Sequence, residues 1–256
     1  MDRQAATLNK DKMAADGICV IIPTFENAGT VADVVSRALQ YCRDVIVVND
    51  GSTDNTDEVL SGLDITLVSY PLNKGKGHAL REGFRKAKEM GFTKAVTLDA
   101  DGQHFPEDIP VLVDAHSSNP GAMIIGSRSL KNENMPQGNT FANKFSNFWF
   151  TVQTGRSLPD TQTGFRLYQL DSLGKLRFLT SRYEAELELL VFQCWKGVPV
   201  VPVPIRVYYP PKEERVSHFR PGWDFTRISI LNTALCILAL VYGLPSVLYH
   251  KVFKRR

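Results

Sequence analysis

A mixed α/β fold built on a mostly parallel central sheet is predicted by three observations. Short apolar runs alternate with helical patterns from Ile18 to Gly126, and that alternation implies right-handed crossovers between parallel strands. Several of the runs are continuously apolar, as buried strands are. The unusual loops (Pro23 to Asn27, Asn49 to Asp54, Asn73 to Gly77, Asp99 to His104) all follow apolar runs or precede helices. In such sheets ligands bind beyond the carboxyl ends of the strands.

The elements follow in order. Ile18 to Ile22 is an apolar strand stopped by Pro23, which has no N–H for a ladder. Gly29 to Tyr41 carries helical periodicity through Val31, Val34, Val35, Ala38 and Leu39. Val45 to Val48 is a β-branched strand, Asp54 to Leu60 a short helix, and Ile65 to Ser69 a third strand. Gly77 to Met90 is helical, and Lys94 to Leu98 is the strand that precedes an acidic pair. Pro106 to Ser117 opens as a helix with proline and acids, and Ala122 to Ile125 is a further strand. In the second half, Gln137 to Thr154 is an aromatic-rich helix and Thr180 to Trp195 a helix with an apolar stripe. Val198 to Tyr209 is a proline-broken edge strand, and Pro210 to Pro221 a charged loop.

Length and composition bound the possibilities. The chain has 256 residues, 43% hydrophobic and 22% charged, as expected of a globular protein with a full core. A net charge of +3 gives no footprint for nucleic acid. Cys19, Cys42, Cys194 and Cys236 are widely spaced, which reads as reduced core residues and not a disulfide frame or zinc site. Residues 1–17 are polar and lack an apolar signal segment, so they read as a flexible lead-in.

The chemistry concentrates in Asp99-Ala100-Asp101-Gly102-Gln103-His104. Two carboxylates spaced by two share one side of an extended backbone and repel. A hard divalent cation offsets that cost, and a metal held there would grip a diphosphate. Gln103 and His104 add a neutral oxygen and an imidazole. Asp50, at another strand tip, suits a nucleobase imide or a ribose hydroxyl, although Asp-Gly-Ser also suits a plain turn. Asn73-Lys74-Gly75-Lys76-Gly77 precedes a helix, where glycines and lysines favour phosphate.

Taken together and in order, Pro23-Thr24-Phe25-Glu26-Asn27, Asn49-Asp50-Gly51-Ser52, Asn73 to Gly77 and Asp99 to Glu107 resemble a family-2 glycosyltransferase of the GT-A fold. The similarity is to the branch of dolichol-phosphate mannose synthase and other polyprenyl-phosphate glycosyltransferases. Gly126-Ser127-Arg128 and Gly164-Phe165-Arg166 add to it, and it covers about Gly17 to Ser217. The resemblance implies a GT-A Rossmann-like domain over residues 18–220 that takes a nucleotide-sugar donor. It makes Asp50 a base or ribose contact, with Pro23, Thr24 and Glu26 lining the same pocket and Lys76 and Asp99 also on the nucleotide. Asp99, Asp101 and Gln103 would hold Mg²⁺ or Mn²⁺. Arg215, Ser217 and His218 resemble a loop that closes over the diphosphate. The chain departs from the family in reading Glu26-Asn27 for Asn-Glu, and in carrying His218 where the loop lysine stands.

Sugar transfer passes through an oxocarbenium-like state while negative charge grows on the leaving diphosphate. A divalent cation and basic groups stabilise that charge without a proton donor. A hydroxyl acceptor requires a general base, for which Glu184, Glu186 and Glu188 are candidates and Glu186 the best match. A lipid phosphate requires none. An amphipathic helix with solvated glutamates is the structural alternative and suits Glu188. Arg166 would serve phosphate or acceptor. Asp101, Glu186, Glu184 and Arg166 are therefore the expected catalytic set.

Ile228 to Tyr249 is near the length that spans a bilayer, within an apolar and basic tail of residues 221–256. Gly243-Leu244-Pro245 interrupts it, and basic residues flank both sides. A single crossing would strand one basic cluster outside the cytoplasm. The expectation is an interfacial or re-entrant helical hairpin, or a tail docked on the cytoplasmic leaflet, where the enzyme would meet a lipid-linked or other hydrophobic acceptor. The competing readings are a nucleotidyltransferase and a non-catalytic sugar-nucleotide-binding protein. The first lacks its Gly-rich, Arg-containing loop after the first strand, and the intact acidic pair speaks against the second.

Overall fold

The computed structural model describes residues 3–128, 137–174, 180–209 and 221–253. Its centre is a seven-stranded sheet in the order β3-β2-β1-β4-β6-β5-β7. The strands are β1 (Ile18–Thr24), β2 (Val45–Asn49), β3 (Thr66–Ser69), β4 (Lys94–Thr97), β5 (Met123–Ser127), β6 (Arg166–Gln169) and β7 (Val200–Pro204). All pairings are parallel except those of β6, which runs antiparallel to both β4 and β5. The α/β class with a mostly parallel sheet therefore stands, and β7 is the expected edge strand. β6, which reads Arg-Leu-Tyr-Gln, has no apolar run to mark it in the sequence.

Alternating side chains of β1 feed two apolar layers. Ile18, Val20 and Ile22 pack on one side with α1 (Arg3–Ala15), α2 (Val31–Ala38), α3 (Thr56–Leu60) and α5 (Ile109–Ser118). Cys19 and Ile21 pack on the other with α4 (Lys76–Glu89), α6 (Gln137–Thr154) and α7 (Glu184–Trp195). Each fully buried Ile or Val of these layers contributes about 1.5–3 kcal/mol by transfer from water.

Three expectations change. The lead-in is not loose: α1 buries Met13 completely, and Asn9 donates to the Tyr41 carbonyl at 3.0 Å. The glutamates of α7 are not solvated, since Glu184, Glu186 and Glu188 are all buried. The tail is no hairpin. It runs as α8 (Pro221–Leu238), a π turn over Ala239–Gly243 and α9 (Leu244–Phe253), with no reversal where Gly243-Leu244-Pro245 suggested one. Proline at the second position of α9 lies next to the π turn, where the loss of its N–H is absorbed.

Candidate active site

Four loops converge at the carboxyl ends of β1, β2 and β4. The loop after β1 is tied to the loop after β2 through Glu26. Its Oε1 accepts from the Thr53 N–H at 2.6 Å and the Thr53 hydroxyl at 3.0 Å. Its own N–H donates to Ser52 Oγ at 2.9 Å. Glu26 adopts φ 53°, a left-handed conformation uncommon for a non-glycine residue. Pro23 and Thr24 lie within β1, opposite Val48 and Asn49 of β2. The Thr24 hydroxyl is buried at the strand tip without a hydrogen-bond partner among the described residues.

Asp50 is buried and fully engaged. Its carboxylate accepts from Tyr70 Oη at 2.7 Å, Asn73 Nδ2 at 3.0 Å, and the N–H groups of Lys74 and Gly75 at 2.9 and 2.8 Å. A carboxylate has about four lone-pair sites, and here the loop leading into α4 takes them. The sequence suggested a base contact. The structure adds a positioning role, because Asp50 sets the backbone from which Lys76 projects.

Lys76 opens α4 and reaches across the site. Its ammonium lies 2.7 Å from Asp99 Oδ1 and 2.8 Å from Glu186 Oε2. Burial alone would lower the Lys76 pKa, but the charges of Asp99 and Glu186 outweigh it and hold the group well above the ordinary lysine value. Asp99 is correspondingly held below the carboxylate range: burial opposes this, and Lys76 and then His104 override it. Asp101 moves the other way. Burial and the Asp99 charge push its carboxyl up, although it accepts the Gln103 N–H at 2.9 Å.

His104 closes the acidic loop. Its Nδ1 lies 3.9 Å from Asp99 Oδ2 without a hydrogen bond, and its Nε2 is 3.4 Å from Thr163 Oγ1. Behind the pair sits Gly164, whose backbone touches the Asp99 carboxylate. A Cβ built there would fall 2.6 Å from Oδ2 and 2.7 Å from Oδ1.

The acidic pair suits a divalent cation. Magnesium is commonly held by one or two carboxylates together with substrate phosphates. The excess negative charge that raises Asp101 is what such an ion relieves. Asp101 and Asp99 would supply protein oxygens, with the Gln103 side chain nearby on the same loop. Among the described residues no group of three or more His, Cys, Asp or Glu forms a self-sufficient metal cage. Diphosphate oxygens would have to complete the shell.

Two members of the expected catalytic set are placed elsewhere. Arg166 is fully buried, and its guanidinium donates to the carbonyls of Thr163, Glu186 and Thr161 at 2.7, 2.8 and 2.9 Å. It positions the strand and helix behind the site and has no free face for phosphate. Glu184 lies about 200° around α7 from Glu186. It accepts from Arg227 Nε and Nη2 at 2.9 and 2.7 Å, on the tail side. Glu188 is held by Thr180, whose N–H and hydroxyl donate at 2.9 and 2.6 Å. Arg215, Ser217 and His218 lie outside the described residues.

One relevant pair escaped the sequence reading. Arg128 donates from Nε and Nη2 to Asp160 at 2.6 and 2.9 Å, and Asn143 Nδ2 reaches the same carboxylate at 2.7 Å. This buried fork ties the end of β5 to the loop before β6. Only the strand-end position of Gly126-Ser127-Arg128 hinted at it.

The arrangement brings the loops after β1 and β2 together through Glu26 and sets the Lys76 ammonium between Asp99 and Glu186, beside the acidic pair. Residues 19–177 match the family model described as glycosyl transferase family 2. A UDP-N-acetylglucosamine–dolichyl-phosphate N-acetylglucosaminyltransferase of Methanococcus voltae is 30% identical, covering 77% of this chain and 88% of that protein. The polyprenol monophosphomannose synthase of Mycolicibacterium smegmatis is 32% identical, covering 73% and 75%. Among solved structures, glucosyl-3-phosphoglycerate synthase from Mycobacterium tuberculosis with Mn²⁺, UDP and glucosyl-3-phosphoglycerate superposes with a TM-score of 0.66 at 18% identity. That match covers 91% of this chain and 83% of the other. At that identity the likeness concerns the fold, which is GT-A.

Proposed function

The chain belongs to glycosyl transferase family 2, and from that premise we propose that it transfers a sugar, with inversion, from a nucleoside-diphosphate sugar to a lipid-linked phosphate at a membrane surface. The bond from the anomeric carbon to the acceptor oxygen forms as the bond to the diphosphate breaks, and the nucleoside diphosphate leaves with the electron pair. Mg²⁺ or Mn²⁺, held by Asp99 and Asp101 with Gln103 beside them, would supply positive charge for the leaving group. Glu26, Thr24 and Asp50 border the nucleotide end, and Lys76 serves the phosphates.

The observation that carries the acceptor class is the state of Glu186. Its Oε2 is held by the Lys76 ammonium at 2.8 Å and its Oε1 is buried, so the carboxylate is already engaged with a fixed cation instead of standing open to an incoming hydroxyl. A hydroxyl nucleophile requires a base, whereas an acceptor phosphate is already an anion. The similarity to proteins named for dolichyl-phosphate and polyprenol-phosphate chemistry supports the same reading. Basic residues near the end of the chain (Lys251, Lys254, Arg255, Arg256) support the cytoplasmic leaflet as its place of work.

The test is a transfer assay with UDP- and GDP-sugars, Mn²⁺ or Mg²⁺, and a polyprenyl phosphate, followed by mass spectrometry of the lipid product. Sugar should appear on the lipid phosphate, and Asp101→Asn should lower the rate at least a hundredfold. Efficient transfer only to neutral alcohols would overturn the acceptor assignment. Full activity of Asp101→Asn would overturn the metal assignment.

A further inference from the structure

The tail is long and apolar enough to cross a bilayer: Thr226–His250 is a 25-residue helical stretch whose most apolar 18 consecutive residues have a mean hydropathy of 1.9. Its packing points to something else. One face is fixed to the domain along nearly its whole length. Gln153 Nε2 donates to Asn232 Oδ1 at 2.9 Å, and Leu235 and Ala239 are buried. Gly243 abuts the Trp195 indole so closely that a Cβ would overlap the ring. Ser246 Oγ donates to the Trp195 carbonyl at 2.7 Å, and the His250 ring lies against Gly197. These positions recur every three or four residues, so they form one seam about 27 Å long at the rise of an α-helix. A helix perpendicular to the bilayer cannot keep that seam without dragging α6, α7 and their polar loops into hydrocarbon.

The opposite face is apolar and open. Ile230, Ile237, Val241, Leu244, Leu248 and Val252 are all exposed, Val241 at 77%. Exposed Tyr242 and Tyr249 are residues suited to the headgroup level. No Asp or Glu occurs from Ile228 to the end of the chain, while Lys251, Lys254, Arg255 and Arg256 do. An acid-free apolar face with a cationic end complements one kind of partner, the headgroup–acyl boundary of an anionic leaflet.

We propose that the tail lies in the plane of an anionic membrane surface, with its outer face immersed and its inner face still docked on α6 and α7, and does not cross the bilayer. This rests on the membrane-surface reading given above. It differs from that reading in fixing the orientation of the anchor: the domain and the end of the chain stay on the same side.

Three readouts on the full chain test it. Flotation with phosphatidylcholine–phosphatidylglycerol vesicles should recover the protein, and binding should fall at least tenfold with phosphatidylcholine alone. Alkaline carbonate should release it, and protease should reach N- and C-terminal epitope tags from the same side. The doubly substituted Val241→Asp, Leu248→Asp chain should lose vesicle binding at least tenfold while hydrolysing nucleotide-sugar in solution as before. Carbonate resistance with tags on opposite sides would overturn the in-plane anchor and leave membrane association standing. Absence of binding to any vesicle would overturn both.

Discussion

Lys76 Nζ lies 2.7 Å from Asp99 Oδ1, so the carboxylate that opens the acidic pair is already neutralised by the chain's own ammonium. A metal approaching without nucleotide meets that cation at close range. Unit charges a few ångströms apart near a protein surface interact by about 4 kcal/mol at an effective dielectric of 20. Once a diphosphate is present, it offers the ammonium another anion.

Lys76→Met should therefore bind Mn²⁺ in the absence of nucleotide at least tenfold more tightly than the parent, read by the loss of free-ion paramagnetic resonance. Without metal the variant should also be less stable, by about 3 kcal/mol, because Asp99 and Glu186 are left unpaired. Mn²⁺ should restore much of that loss in a thermal melt. Equal metal affinities for the two proteins would contradict the coupling.

Gly164→Ala should cripple transfer with little effect on folding. The new methyl would displace the Asp99 carboxylate, which is the nearest contact, at 2.6 Å. Misplacement of a reacting group by about 1 Å can cost a hundredfold in rate. Steady-state kinetics beside a circular-dichroism melt separates the two effects, and an unchanged rate would show that Asp99 can shift freely.

The pH dependence of Asp101 has a definite sign. Burial, then the Asp99 charge, raise its pKa above the ordinary 3.8 in the folded state. Stability from this group is thus complete below pH 3.8 and is lost as pH rises through the higher folded value. Asp101→Asn removes the ionisation. It should melt at a higher temperature than the parent at pH 7 without metal, and the advantage should shrink towards pH 4. A difference that does not vary with pH would sever it from ionisation.

Asp50→Ala separates base contact from loop positioning. If Asp50 acts mainly through Lys74 and Gly75, affinity for the nucleoside diphosphate should fall at least tenfold while the weaker affinity for the bare nucleoside changes little. Calorimetry with both ligands checks this. An equal loss for both would mark Asp50 as a direct base contact.

How much was legible follows from where each residue finds its partners. β1 and β2 announced themselves because a strand buried on both faces is apolar along nearly its whole length, and β4 because Ala95, Val96 and Leu98 run up to an acidic pair that stands out by contrast. β6 did not, since Arg-Leu-Tyr-Gln begins with a charge whose burial depends on carbonyls of Thr161, Thr163 and Glu186. α1 was missed because Asn9 and Met13 are its only strongly buried anchors among the described side chains. The fates of Glu184 and Glu188 were set by Arg227 and Thr180, whose proximity no local pattern reveals. The loops that carry chemistry were visible. Which of their side chains are already committed to one another was not.

The reversed strand has a consequence for how the molecule is made. β6 is inserted between β4 and β5, so residue 96 pairs with residue 167 and residue 124 with the same residue from the other side. During synthesis the first half therefore emerges with β4 as an open edge, and no completed sheet exists until residues 166–204 have left the ribosome. Pairings of such long sequence separation fold slowly and expose unpaired edges meanwhile. A chain stopped after Ser127 should be a sticky fragment, and not a smaller enzyme.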